Sequence, residues 1–266
     1  MANSHKRLAV VTGASSGIGA MFAEKLASRG MDLVVIARRG ELLEALGRRL
    51  EKDNGVSVRV LVADMTDRAA LQAVENEIGN LECDVLVNSA GFGICENFAD
   101  ADPARIDKEL YLDLIVPARL ARAVLPKMIA RESGAIINVS SMAGFMPIPK
   151  FATYSAAKAG LIRLTQALRG ELRGTGVQVQ VLCPGPVATP FFDVSGYKIE
   201  NVPKPMLQSA EDCVNSSLRA LDRRKTVHIP HPLITLFVRC VGLLPLGGKL
   251  VMLGGGTNWW VGRKRA

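Results

Sequence analysis

Tyr154 and Lys158 stand four residues apart in the segment Tyr-Ser-Ala-Ala-Lys. On a helix this spacing puts both side chains on one face. An ammonium beside a phenol favours the phenolate, so it is expected to lower the tyrosine pKa toward neutrality. Such a phenol can give a proton to a carbonyl oxygen or take one from an alcohol. Ser141 lies 13 residues before Tyr154, where its hydroxyl could hydrogen-bond the same oxygen as charge develops on it. Alone, a Tyr-x-x-x-Lys pair is usually an ordinary pair on a helix surface. Its meaning here depends on the elements around it.

The first of these is a glycine loop. Gly13, Gly17 and Gly19 are spaced G-x-x-x-G-x-G, with Ser15, Ser16 and Ile18 between them. Glycines let a backbone turn tightly and approach a pyrophosphate. A helix that starts there adds free N–H groups and the positive end of its dipole. In dinucleotide folds an acidic residue at the end of the second strand holds the ribose 2′-hydroxyl. Here that place, 18 residues past Gly19, is Ala37, followed by Arg38 and Arg39. Arginine pairs with a 2′-phosphate, which an aspartate would repel. The expected cofactor is therefore NADP(H).

The elements that must position these residues follow from hydropathy. Strand-length apolar runs cover residues 8–11, 33–37, 56–63, 85–87, 136–139 and 177–182. Helical patterns separate them at about 22–29, 41–50, 67–78, 103–130 and 154–173. Runs apolar on both faces, alternating with helices, indicate a parallel sheet covered on both sides. With right-handed crossovers the expected fold is a doubly wound (Rossmann) α/β sheet. Its ligand crevice lies at the carboxyl ends of the strands, where the glycine loop and Ser141 fall.

Composition narrows the alternatives. The 266 residues suit one large domain over about 1–230, with residues 231–266 as an extension. The five scattered cysteines have no metal-ligand spacing, so no metal is expected. Odd cysteine usage and a polar N-terminus lacking a signal peptide point to a reduced, cytoplasmic protein. Beyond Asp222 there is no acidic residue, whereas eight Lys or Arg occur between Arg223 and Arg265. Those eight account for the whole net charge of +8. A neutral body with a basic apolar tail does not suggest nucleic-acid binding by the domain.

Taken together, TGASSGIG (12–19), Asp64 in VADMTD, NSAG (88–91), VSS ending at Ser141, YSAAK (154–158) and PGPVAT (184–189) resemble the short-chain dehydrogenase/reductase family. The resemblance covers about residues 7–230. The apolar end resembles that of a bacterial subgroup. It implies a seven-stranded sheet in the order 3-2-1-4-5-6-7, and homodimers or homotetramers built through two long helices. It implies that Asp64 meets the adenine and that Asn88, Ala90 and Gly91 line the adenosine ribose. Lys158 would also bind the nicotinamide ribose, and Pro184, Gly185, Val187 and Thr189 would hold the nicotinamide end. The implied reaction is hydride transfer between nicotinamide and a carbonyl carbon, with Tyr154 handling the proton. A catalytically silent sensor or scaffold of the same fold is the alternative.

The sequence departs from the family pattern in two places. Ser89 replaces a usual second Asn. Asp113 falls where the resemblance places a fourth catalytic residue, normally an Asn whose backbone carbonyl holds a relay water. A carboxylate there would hold Lys158 as a cation and alter the pH profile. Residues 190–210 correspond to the family's substrate lid, where Phe191, Phe192, Tyr197 and Ile199 suggest apolar contacts. Phe192 and Ser141 are the expected substrate contacts, with Phe92, Met142, Phe145 and Met146 nearby. A lipophilic ketone or alcohol fits this better than a sugar or charged acid. The tail from Leu233 to Leu253 is apolar, but Arg239, Pro245 and Lys249 argue against a spanning helix. A pocket cover or oligomer contact is favoured. A weak membrane-surface contact through Trp259, Trp260 and Arg263-Lys264-Arg265 is the next reading.

Overall fold

The computed structural model describes residues 6–197 and 199–260, with residues 194, 201 and 254–260 by backbone only. The chain begins β1 (Leu8–Thr12), α1 (Gly17–Ala27), β2 (Asp32–Ala37), α2 (Gly40–Asn54), β3 (Val58–Val62), α3 (Arg68–Asn80) and β4 (Val85–Asn88). It continues through α4 (Pro103–Leu110), α5 (Val116–Ala130), β5 (Ala135–Val139), α6 (Ala152–Glu171) and β6 (Gln178–Leu182). The last elements are α7 (Phe191–Ser195), α8 (Ala210–Asp222), β7 (Val227–His228), α9 (Pro232–Leu243) and α10 (Leu246–Trp260). The strands form one sheet in the order β3-β2-β1-β4-β5-β6-β7, with every pairing parallel. The order reverses beside β1, which opens the crevice between the ends of β1 and β4.

Alternation along the strands divides the core in two. Val11, Val35, Val87 and Ile137 face one side and meet Phe22, Leu26, Leu43 and Leu218 from α1, α2 and α8. Val10, Val34, Leu86 and Ile136 face the other side, against Leu71, Ile78, Leu120 and Met128 from α3 and α5. Leu120 and Leu71 are fully buried, so truncating either to alanine should cost about 2–5 kcal/mol.

Three boundaries differ from the hydropathy reading. The first helix begins at Gly17, inside the glycine loop, because the loop itself supplies its first turn. β7 is only two residues long and half-buried, too short to register as an apolar run. The stretch 103–130 is not one regular helix. Between α4 and α5, Tyr111–Ile115 winds as a π-helical turn. Pro117 has no N–H to return to the carbonyl of Asp113 four residues earlier, so the winding opens at that point.

Candidate active site

A cleft of about 620 Å³ runs along the carboxyl ends of the strands. At one end the glycine loop forms its floor. Gly13 has φ +68°, and a Cβ there would meet the Ala90 backbone at 2.8 Å. Only glycine lets the β1 and β4 ends lie this close. Thr12 Oγ1 fastens them, accepting from the N–H groups of Ser89 (3.0 Å) and Ala90 (3.1 Å). Ser16 caps α1 with extended backbone and no side-chain bond to the first turn. The first N–H groups of α1 are thus without a side-chain cap at the cleft, which suits an anionic phosphate.

Arg39 lies across this loop. Its guanidinium donates to Ser15 Oγ (2.8 and 3.1 Å) and to Ser16 Oγ (2.6 Å). Arg38 stands 3.9 Å from Asp64. Burial would raise the Asp64 pKa, but hydrogen bonds from Thr66 and the Arg38 charge hold it below its ordinary value. Ala37, Ala63 and Met65 complete this end with apolar surface. A dinucleotide fits the residues present: bare backbone and a helix end for the pyrophosphate, apolar walls for a base, and two arginines at the ribose end.

Ser141, Tyr154 and Lys158 sit together in the cleft. Tyr154 and Lys158 project from α6, and Ser141 follows β5. Ser141 Oγ accepts from the Ala143 N–H (3.1 Å), which fixes its side chain at the cleft wall. Lys158 Nζ donates to the Val139 carbonyl (3.2 Å) and lies 5.5 Å from the Tyr154 ring centroid. It also stands 3.5 Å from Asp113 Oδ2, where both side chains are almost wholly buried. Gly91 makes room for this pair, since a Cβ there would collide with the Asp113 carboxylate.

The net direction at Tyr154 is set by its burial. Burial pushes the phenol pKa up, and the Asp113 and Glu109 carboxylates push it further, while a hydrogen bond with Ser141 pulls it down. Lys158 Nζ stands 3.5 Å from Asp113 Oδ2 and 5.5 Å from the centre of the Tyr154 ring. Burial likewise raises the Asp113 carboxyl to about 7, against the opposing pull of Lys158 and with reinforcement from Glu109.

At the far end the cleft is aromatic. Tyr154, Phe151, Tyr197, Phe192 and Phe191 form a closed circuit of ring contacts with centroids 5.5–6.0 Å apart. The 190–197 segment is tied down by the Cys95 N–H, which donates to the Ser195 carbonyl (3.1 Å). Phe237 of α9 and Met252 and Leu253 of α10 close the rim. Ile234 of α9 is buried with Met146, against Met142, Phe145 and Met206. α9 thus packs on the body through Ile234, Val238 and Val241, and of the described α10 side chains Leu253 joins the same cluster. No helix among the described residues is long and apolar enough to cross a membrane. Arg263-Lys264-Arg265 lie outside the described residues, as do the side chains of Trp259 and Trp260.

A family model described as short chain dehydrogenase matches residues 7–198. The chain belongs to the short-chain dehydrogenase family. It is similar to the very-long-chain 3-oxoacyl-CoA reductase of Mus musculus, 32% identical over 85% of this chain and 72% of the relative. The Anas platyrhynchos enzyme of the same name is 36% identical over 70% of this chain; the match spans 62% of that relative. Among solved structures, a short-chain dehydrogenase from Sphingobium yanoikuyae in complex with NADPH has a TM-score of 0.83 and 32% identity, covering 98% of each chain. A bulky-bulky ketone specific alcohol dehydrogenase from Comamonas testosteroni has a TM-score of 0.78 and 30% identity, covering 99% of this chain and 98% of its own.

Most of the residues singled out in this short-chain dehydrogenase by sequence line one cleft. Gly13, Ser15, Ser16, Gly17, Ile18, Gly19, Arg38, Arg39, Asp64, Ala90, Gly91, Ser141, Tyr154, Lys158, Pro184, Gly185, Val187, Thr189 and Phe192 all do. Asn88 does not. It is buried behind the wall, donating to Asn138 Oδ1 (2.8 Å) and the Pro117 carbonyl (3.3 Å), and so braces β4, β5 and α5. Asp113 also stands behind the wall, reaching the site through Lys158. Phe145 and Met146 turn beneath α9, while Phe92 and Met142 do line the cleft. The sequence reading favoured a pocket cover or oligomer contact for 233–253 without singling out Phe237, Met252 and Leu253, and it missed Glu109. The signal for Glu109 was its place four residues before Asp113.

Proposed function

We propose that this short-chain dehydrogenase is an NADPH-dependent reductase of bulky lipophilic ketones, which are converted to secondary alcohols. The observation that carries the proposal is the placing of Tyr154 and Ser141 midway between two unlike ends. One end holds Arg38 and Arg39, which follow β2, beside the glycine loop at Ser15 and Ser16. The other is a closed aromatic circuit. Ala37 in place of an acidic residue supports NADPH over NADH, and the NADPH complex of a 32% identical relative agrees with this.

When bound, the nicotinamide supplies the hydride. The chain's own residues do the rest. Ser141 hydrogen-bonds the substrate oxygen and holds it toward Tyr154. Tyr154 gives its proton to that oxygen as negative charge builds. A raised phenol pKa keeps Tyr154 protonated, which suits a donor and so suits the reducing direction. Lys158 holds the ribose side and lies against the Tyr154 ring. The lid at about 190–210 and the helices after residue 231 exclude water from the ketone. Assembly as a homodimer or homotetramer belongs to the same proposal and is read by sedimentation. Weak contact with a membrane surface is read by liposome binding.

The second reading, a dinucleotide-binding sensor without turnover, draws on one observation: Asp113 engages Lys158 and leaves Tyr154 a weak acid. NADPH oxidation with a panel of hydrophobic ketones separates the two. Ketone-dependent oxidation that Tyr154→Phe abolishes supports the reductase. NADPH binding with no oxidation across the panel supports the sensor.

A further inference from the structure

We propose that Glu109 and Asp113 hold a single proton between them against Lys158, and that this proton is the store from which Tyr154 is refilled after each reduction. The inference rests on the reductase reading for its second half and on geometry for its first.

Glu109 is the last acidic residue of α4 and is fully buried. Its Oε1 accepts from the Ile94 N–H (2.8 Å), and its other oxygen takes a short hydrogen bond from Thr153 Oγ1. Neither partner carries charge. Asp113, four residues on, is fully buried as well and meets Lys158 at 3.5 Å. The charged groups acting on Asp113 are Lys158 from α6 and Glu109 from α4, and the Phe92 backbone N–H adds a pull in the same direction as Lys158. Those acting on Glu109 are Thr153 and Lys158 from α6, Ile94 from the loop after β4, and Arg105 on α4. Arg105 is half-exposed and turned toward Glu96, so solvent screens it. Two buried carboxylates therefore face one buried ammonium.

With both ionised, the cluster would carry a net negative charge inside the protein, which burial penalises heavily. One retained proton makes it neutral. Interacting carboxyls release protons as a pair; burial raises both Asp113 and Glu109, and the Glu109 charge raises Asp113 further.

The steps balance. Tyr154 gives its proton to the substrate oxygen while the carbonyl carbon takes the hydride. The O–H bond of Tyr154 re-forms with a proton from Lys158, and Lys158 recovers one from the carboxyl pair. Solvent then refills the pair past Thr153, which is half-buried at the start of α6. Each turnover consumes one hydride and one proton from bulk.

The test begins on the cofactor-free protein, with ¹³C-labelled carboxyls followed by NMR across pH. The wild type is expected to keep one carboxyl of the pair protonated well above the ordinary carboxylate range. In Glu109→Gln, which keeps the acceptor for Ile94, Asp113 should ionise at lower pH. The pH–rate profile of ketone reduction should move with it, its alkaline limb displaced by about one pH unit downward. In Asp113→Asn the limb should disappear. Both carboxyls ionising in the ordinary range in the wild type would overturn the shared proton, and that measurement needs no variant. An unmoved limb in Glu109→Gln would overturn the store. A retained proton in a protein that reduces no ketone would overturn the store together with the reductase reading. Ordinary ionisation with normal turnover would overturn the store alone.

Discussion

The two ends of the cleft are built from different material. At the dinucleotide end the contact surface is mostly backbone: the loop at Gly13, the first turn of α1, and the strand ends near Ala90. These parts are close in sequence to the strands that hold them. At the aromatic end the surface is side chain. Phe151, Phe191, Phe192, Tyr197, Phe237 and Leu253 arrive from α6, the lid and the two C-terminal helices. Backbone surfaces demand particular glycines. Aromatic surfaces demand only bulk, and many sequences satisfy them. The first end should thus tolerate little change, and the second should be open to substrates of varied shape.

Four measurements break or sharpen this contrast. The largest effect is expected where the ends meet. Tyr154→Phe should lower ketone reduction by roughly a hundred- to ten-thousand-fold and leave the NADPH dissociation constant within a few-fold. A variant with parental turnover would remove the phenol from the chemistry. Next, replacing Arg38 and Arg39 together with alanine should weaken NADPH binding by about ten- to a hundredfold, the worth of a charge-assisted contact. NADH binding should hardly move, and equal losses for both would show that the arginines do not read the 2′-phosphate. Third, Phe192→Ala should raise KM for bulky ketones by up to about tenfold with little change in dinucleotide affinity. A shift in dinucleotide affinity would mean that the two ends are not separable.

The smallest effect concerns stability. Asp113 binds a proton more tightly folded than unfolded, because its carboxyl is raised from 3.8 to about 7. Its contribution is fully present below pH 3.8 and is lost as pH rises toward 7. The melting temperature of the wild type should therefore carry a downward component over that window, and Asp113→Asn should remove it. Identical pH dependence in the two proteins would place the buried charge elsewhere.

The same contrast explains what the sequence could disclose. The parallel sheet was legible because its strands are apolar on both faces. The dinucleotide end was legible because Gly13, Gly17 and Gly19 answer to backbone geometry at fixed spacing. Tyr154, Lys158 and Ser141 were legible by spacing and by resemblance. The direction of the Tyr154 shift was not, since it depends first on the burial of the ring and then on Asp113 and Glu109, carboxylates more than 40 residues away in the chain that folding brings to Lys158. The inward turn of the Asn88 side chain was not legible either, because its motif borders the cleft while the side chain bonds Asn138 and Pro117 in the core. Phe237 and Leu253 carry no motif; only the packing of α9 and α10 brings them to the rim.

The proline at position 117 is absent from the cleft lining, yet it bears on the phase of α5 relative to α4. One extra residue in a helical turn rotates everything after it by about 100° relative to regular winding. The π-helical turn at Tyr111–Ile115 thus allows α4 to bury Glu109 and α5 to bury Leu120 and Val124, though a continuous helix would align those faces differently. Chemistry and core share one stretch of chain here, and the slack in its winding lets each keep its own heading.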